Sequence, residues 1–189
     1  MRVVCDTDIE LDDTAGDEAA IREIADALVG SSPTEILAAI HERLRSLDVT
    51  DTSYSSLRRG RHTSSEMLAK NFAWGCSAHA QIACHLARAR GIPSILVKTI
   101  DKIWLSTKND GSGRASGHVY VEVLLGDKPA LWDAQGGVLH STYDPAQRDI
   151  ENRLIYDKGA PDSVVLSHHG TVWEDTDIKP RFHPVNLRS

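Results

Sequence analysis

The chain of 189 residues has the length of one domain and is long enough to bury a sizeable core. Hydrophobic residues make up 41% of it and charged residues 25%, which excludes disordered, collagen-like and coiled-coil proteins. The net charge of −6 comes from the N-terminus, because the first 20 residues contain seven acidic residues and one basic residue, Arg2. Because the rest of the chain is neutral overall, we do not expect nucleic acid as the partner.

The sequence also predicts the compartment and the domain organisation. No stretch approaches 18 consecutive apolar residues, so we expect no membrane span, and the N-terminus lacks the apolar segment of a signal peptide. Three cysteines, an odd and low number, indicate reduced thiols and a cytoplasmic protein. We expect a single domain over residues 1–189, with an acidic, solvated N-terminal arm at 1–16 and a core at about 35–160. The oligomeric state stays open.

Four segments in the first half carry apolar residues at helical spacing. Ser32 and Pro33 are typical helix-start residues, and Gly91 followed by Pro93 is typical of a helix end. The segment between the second and third helices is polar and predicts a loop at 48–63. The predicted helices cover residues 17–29, 34–47, 64–73 and 76–90.

After residue 93 the hydrophobic period changes to two. This predicts strands at 94–101 and 103–107, then a polar loop at 108–116. The stretch HVYVEVLL alternates, with its valines on one face and His118, Tyr120 and Glu122 on the other. A turn around Gly126 leads into a returning strand, and the region from about 140 has weak strand signals. Helices followed by antiparallel strands predict an α+β fold.

Cys76 is the candidate nucleophile. It follows Gly75 at the predicted first turn of a helix, where free backbone N–H groups and the helix dipole stabilise an anion. A thiol at such a position is expected to have a lowered pKa and to react near neutral pH. The alternative is that Cys76 is a small packing residue in an alanine-rich helix, which is our interpretation of Cys5 and Cys84.

His118 and Asp133 complete a candidate triad. His118 opens the alternating strand on the face opposite the valines, and Asp133 lies in the returning strand. Whether the two are directly opposite or shifted by two residues, both stay on one face, within reach of each other. Asp133 can then orient His118, and His118 can take the proton of Cys76. For the His118–Asp133 pair alone, the alternative is an ordinary surface hydrogen bond.

Two stretches of the sequence resemble the transglutaminase-like superfamily. GCSAHAQIACHLARARGIPSILV is similar to its nucleophile segment, in which a Cys opens a helix that ends at Gly-Ile-Pro. GHVYVEVLLGDKPALWDAQGG resembles its His and Asp strands, with Glu122 following the His and Trp132 preceding the Asp. The resemblance covers roughly residues 35–160. It implies a papain-like core, with the nucleophile helix packed on an antiparallel sheet.

The resemblance implies a reaction class and leaves the reaction open. Members include protein cross-linking enzymes, cysteine proteases, peptide glycanases and inactive relatives. Two positions depart from the family pattern: Tyr120 replaces the usual Trp, and Ala134 replaces the usual Pro after the Asp. For the oxyanion, the Cys76 backbone N–H is the obvious donor, and the Trp74 indole is a second candidate, although packing beside the helix start is its more ordinary role.

A rival motif lies near the N-terminus. The stretch VCDTDIELDD contains four aspartates, Asp6, Asp8, Asp12 and Asp13. Their spacing resembles the calcium-binding opening of nucleoside hydrolases. However, Glu10 stands where that family has Gly, and the chain is much too short for such an enzyme. We therefore expect a solvated acidic arm.

His79 shares the helix face of Cys76, and we expect it at the surface. No zinc-ligand spacing is present, so we predict no metal and no cofactor.

Three functional hypotheses follow. The preferred one is a thiol enzyme that acts on amide or acyl bonds through a thioester on Cys76, by hydrolysis as a peptidase or amidase or by acyl transfer to an amine. Its substrate would be a protein, a peptide or a small amide. The second is a transglutaminase-like binding module without turnover. The third is a metal-dependent hydrolase that uses the N-terminal aspartates.

Overall fold

A computed structural model describes residues 2–47, 62–73, 75–103 and 117–159 of the chain. These residues form four helices followed by one antiparallel sheet of six strands, so the α+β class predicted from the sequence is confirmed. No helix in the described ranges is long and apolar enough to cross a membrane. The helices are α1 (Glu18–Asp26), α2 (Pro33–Arg45), α3 (Ser64–Ala69) and α4 (Gly75–Ala89). The strands are β1 (Ser94–Asp101), β2 (Gly117–Leu125), β3 (Lys128–Asp133), β4 (Val138–His140), β5 (Asp149–Ile150) and β6 (Arg153–Lys158).

The helix ends follow from local chemistry. The side chains of Asp17, Ser32 and Thr63 each accept a hydrogen bond from a free backbone N–H in the first turn of α1, α2 and α3. The helix α3 is shorter than predicted, because the chain turns at Asn71, whose φ of 51° is incompatible with a helix. Gly91, with a φ of 72°, follows the end of α4 in the left-handed conformation typical of a C-terminal glycine.

The sheet has the strand order β4-β3-β2-β1-β6-β5, and every neighbouring pair is antiparallel. The weak strand signals after residue 140 correspond to real strands. The longest of them, β6, pairs with β1 and is an inner strand of the sheet. The predicted strand 103–107 is wrong at its first residue, because Ile103 is not in a strand. Its remainder, the loop 108–116 and residues 48–61 of the predicted loop lie outside the described residues.

The sheet is covered on both faces. The valines of β2 and Trp132 of β3 pack with the helices in the main core. On the other face, Tyr120 packs in a smaller apolar cluster with residues of β1, β3, β5 and β6. The face of β2 that we expected to be polar and exposed is therefore buried at Tyr120 and Glu122. The side chains of Lys158 on β6 and of Tyr143 cover Glu122 there.

The N-terminal segment is part of the folded body, which differs from the solvated arm we expected. Asp8 is buried and forms an ion pair with Arg2. Asp12 contacts Arg88 and His85, both on α4, at 3.0 and 3.3 Å. Asp12 thus joins the N-terminal segment to the helix that also carries Cys76.

Candidate active site

Cys76 lies in the first turn of α4, as the second residue of the helix. Its side chain is 5% exposed, and Gly75 before it has a φ of 75°, a conformation that glycine adopts without strain. Backbone N–H groups in the first turn of a helix have no acceptor within the helix. Cys76 therefore lies buried in the turn of α4 whose backbone N–H groups have no acceptor within the helix.

His79 is buried, contrary to the surface position expected from the sequence. Its Nδ1 lies 2.8 Å from the carbonyl oxygen of Gly75. Because a carbonyl oxygen only accepts hydrogen bonds, Nδ1 is the protonated nitrogen and is occupied there. His79 thus ties the first turn of α4 to its second turn, which stabilises the backbone around Cys76.

His118 and Asp133 lie beside each other at the open ends of β2 and β3. The ladder between these strands starts at Val121 opposite Trp132, so the two residues are diagonal rather than directly opposite. Nε2 of His118 is 3.0 Å from Oδ1 of Asp133, although its N–H bond is not aligned with that oxygen. Unaligned contacts of this kind are common in active sites without substrate. The two groups are within ion-pair distance of each other.

A tight turn after β3 fixes the Asp133 carboxylate. Its Oδ1 accepts hydrogen bonds from the backbone N–H groups of Gln135 and Gly136, at 3.1 and 3.0 Å. His41 of α2 braces the same turn, with Nδ1 3.0 Å from the carbonyl oxygen of Ala134. Ala134 is fully buried, so this chain builds the turn without the proline of the family pattern.

The imidazole of His118 contacts both the thiol of Cys76 and the carboxylate of Asp133. Burial by itself lowers the pKa of His118, but these two contacts outweigh it and raise the pKa from 6.5 to about 9. The pKa of Asp133 is shifted the opposite way. Burial raises it, but His118 and the turn amides bring it below its ordinary value. The site therefore favours an imidazolium next to a carboxylate at neutral pH.

Tyr120 and Arg153 extend this face of the sheet beyond His118. The rings of Tyr120 and His118 meet edge to face, with 4.6 Å between their centroids. The Tyr120 hydroxyl accepts a hydrogen bond of 3.2 Å from Nη1 of Arg153. Sequence analysis did not single out Arg153, because only the pairing of β6 with β1 brings it to this place.

A buried ion pair lies further along β2. Glu122 and Lys158 form it, and neither side chain is exposed to solvent. Glu122 also accepts hydrogen bonds of 2.8 Å from the Tyr143 hydroxyl and from the backbone N–H of Val4. This network joins β2, β6 and the N-terminal segment.

The other predicted chemical groups do not gather at the site. Cys84 is fully buried, and burial raises the pKa of its thiol to about 12, as expected for a packing residue. Cys5 is exposed, at the N-terminal segment. In the described ranges, no group of three or more His, Cys, Asp and Glu side chains is arranged to hold a metal ion. Trp74, the second oxyanion candidate, lies outside the described residues.

Comparison with known proteins shows a likeness of fold. No protein-family profile and no curated protein sequence matches the chain. A solved structure of a candidate cysteine protease from Cytophaga hutchinsonii is similar, with a TM-score of 0.55 and 13% sequence identity over 80% of this chain. The chain spans only 45% of that protein. At this identity, the likeness concerns the α+β fold alone.

Proposed function

We propose that the protein is a thiol enzyme with a papain-like, transglutaminase-like core that cleaves amide or related acyl bonds. The observation that carries the proposal is the contact of one imidazole, His118, with both the Cys76 thiol and the Asp133 carboxylate. The fold-level likeness to a candidate cysteine protease supports it. In this proposal Cys76 is the nucleophile, His118 the acid and base, and Asp133 the residue that orients the imidazole.

The first half of the reaction acylates the enzyme. In the proposed resting state the proton of Sγ is already on His118, so that a thiolate faces an imidazolium. Nε2 of His118 faces Asp133, so Nδ1 is the nitrogen that carries the proton shared with Cys76. The thiolate attacks the carbonyl carbon, and the resulting oxyanion accepts a hydrogen bond from the Cys76 backbone N–H. As the C–N bond breaks, the imidazolium donates its proton to the departing amine, which leaves a thioester on the sulfur.

The second half releases the acyl group. A water molecule takes the place of the amine, loses a proton to His118 and attacks the thioester carbonyl. The C–S bond breaks, a carboxylic acid leaves, and the thiolate again faces the imidazolium. An amine in place of water would give acyl transfer. Hydrolysis is the preferred outcome because it requires no second binding site.

The two rival functions receive less support from the geometry. A silent binding module would tolerate an imidazole out of reach of the thiol, whereas His118 contacts Cys76. A metal-dependent hydrolase would need free N-terminal carboxylates to converge on an ion. Asp8 is paired with Arg2, and Asp12 with His85 and Arg88.

The test is the rate of iodoacetamide alkylation at each cysteine as a function of pH, read by peptide mass spectrometry. We expect Cys76 to react fast well below pH 8 and the substitution His118→Ala to remove this reactivity. The exposed Cys5 and the buried Cys84 serve as internal controls for ordinary and protected thiols. If Cys76 reacts no faster than Cys5 at every pH, the thiol-enzyme proposal is refuted and the binding module becomes the better hypothesis.

A further inference from the structure

One cationic group near the candidate triad has no role in the chemistry described above. Arg153 lies at the start of β6, and a single aromatic ring, that of Tyr120, separates its guanidinium from the imidazole of His118. The three side chains share the face of the sheet on which Asp133 also lies. A group bound against the imidazole of His118 on this face would therefore lie one ring away from the guanidinium.

Within the described residues, part of the hydrogen-bonding capacity of Arg153 is unused. A guanidinium has five N–H donors in a planar fork that fits a carboxylate. Here Nη1 donates to the Tyr120 hydroxyl, while Nε is buried and has no hydrogen-bond partner in the described part of the chain. A buried donor without an acceptor is costly, so such a group indicates a missing partner.

Two carboxylates lie near Arg153. Asp101 is its cross-strand neighbour in the β1–β6 ladder, and its Oδ1 accepts a hydrogen bond from the backbone N–H of Ile103. The second carboxylate is a weak competitor. Glu151, in the turn between β5 and β6, places Oε2 3.5 Å from Nη1 of Arg153, and its side chain is 62% exposed. Exposed ion pairs at this distance contribute little, because water solvates both groups. The Arg153 side chain is itself 30% exposed, so an incoming anion can reach it.

We propose that Arg153 and Tyr120 form an anion subsite that binds a carboxylate of the substrate, on the residue next to the amide that is cleaved. The inference rests on the proposed function and deepens it, since it assigns acidic peptides or acidic amides as the preferred substrate class. A carboxylate there would accept hydrogen bonds from the guanidinium, including the unused Nε–H.

The test uses two affinity reagents of equal size, the α-amides of bromoacetyl-glutamate and bromoacetyl-glutamine. With either reagent, Sγ of Cys76 forms a bond to the CH₂ carbon and bromide leaves, so only the side-chain charge differs. We measure the ratio of the two alkylation rates at Cys76 by peptide mass spectrometry. In the wild type we expect a ratio of about five in favour of the acidic reagent at low salt, decreasing as salt is added.

Three substitutions and one control sharpen the result. Arg153→Gln should bring the ratio to about one, and Arg153→Lys should keep part of it, because the charge remains and the fork is lost. Glu151→Gln should raise the ratio above the wild-type value, because the competing carboxylate is removed. Arg22→Gln, at an exposed ion pair on α1, should leave the ratio unchanged.

The outcome separates this inference from the proposed function. A ratio near one in the wild type, or an unchanged ratio in Arg153→Gln, overturns the anion subsite even if Cys76 proves highly reactive. Slow reaction of the neutral reagent with Cys76 at pH 7 would contradict the thiol-enzyme proposal but not the anion subsite. In that case the ratio is still measured at pH 9.5, where alkylation does not require an activated thiol.

Discussion

The charge on Asp133 is the most direct perturbation of the candidate triad. The substitution Asp133→Asn keeps an oxygen that can accept the hydrogen bonds of Gln135 and Gly136, so the turn after β3 should persist. What it removes is the negative charge 3.0 Å from Nε2 of His118. We therefore expect the pKa of His118 to decrease from about 9 towards its ordinary value of 6.5.

The magnitude follows from the shift of the His118 pKa. The rise from 6.5 to about 9 corresponds to about 3 kcal/mol of preference for the imidazolium. Cys76 contributes part of this, so we assign about 1–2 kcal/mol to Asp133. Because the folded-state pKa of His118 is raised, this stabilisation is complete below pH 6.5 and is lost as the pH rises through 9. The lowered pKa of Asp133 adds an acidic limit, since the pair also weakens as the carboxylate becomes protonated.

The assay is urea unfolding of the wild type and the Asp133→Asn variant at pH 6 and pH 10. We expect the variant to be less stable by about 1–2 kcal/mol at pH 6 and nearly equal to the wild type at pH 10. A histidine NMR titration gives the pKa of His118 independently. Asp127→Asn, an exposed carboxylate in the turn of the same hairpin, is the matched control and should show no such pH dependence. An equal loss of stability at both pH values would refute the reasoning.

Three further predictions concern the structure around the site. Glu122→Gln leaves the buried ammonium of Lys158 without its carboxylate, so urea unfolding should show a loss of about 3–5 kcal/mol, and a loss below about 1 kcal/mol would contradict a buried ion pair. Gly137→Ala should destabilise more than Gly126→Ala in thermal unfolding, because both have positive φ but only the first would overlap a histidine ring of α2. Asp12→Asn should cost about 1 kcal/mol at pH 7 and speed limited proteolysis of the N-terminal segment. Since the pKa of Asp12 is lowered in the folded state, that stability difference should be constant above pH 5 and decrease steadily as the pH falls from 4 to 2. A difference that does not decrease over that range would be evidence against the ion pairs.

Much of the fold was predictable because its signals are local. Helical spacing placed α1, Ser32 and Pro33 placed the start of α2, and Gly91 placed the end of α4. Alternation placed β2, and the short turn at Gly126 restricted the pairing of β2 with β3 to registers that keep His118 and Asp133 on one face. The pairing of these two residues needed no knowledge of distant parts of the chain.

The remaining features depend on contacts between residues far apart in sequence, which no local pattern encodes. The alternation of β2 predicted a polar face, yet Glu122 is buried there, because Lys158 of β6 returns from 36 positions later to neutralise it. Asp12 suggested a solvated arm, since its partner Arg88 lies on α4 and is unrelated to it by any spacing. Local chemistry thus determined the helices, the hairpin and the choice of Cys76. Tertiary packing alone decided which charges are buried and which groups surround the imidazole, because burial and ion pairing are set by the whole fold.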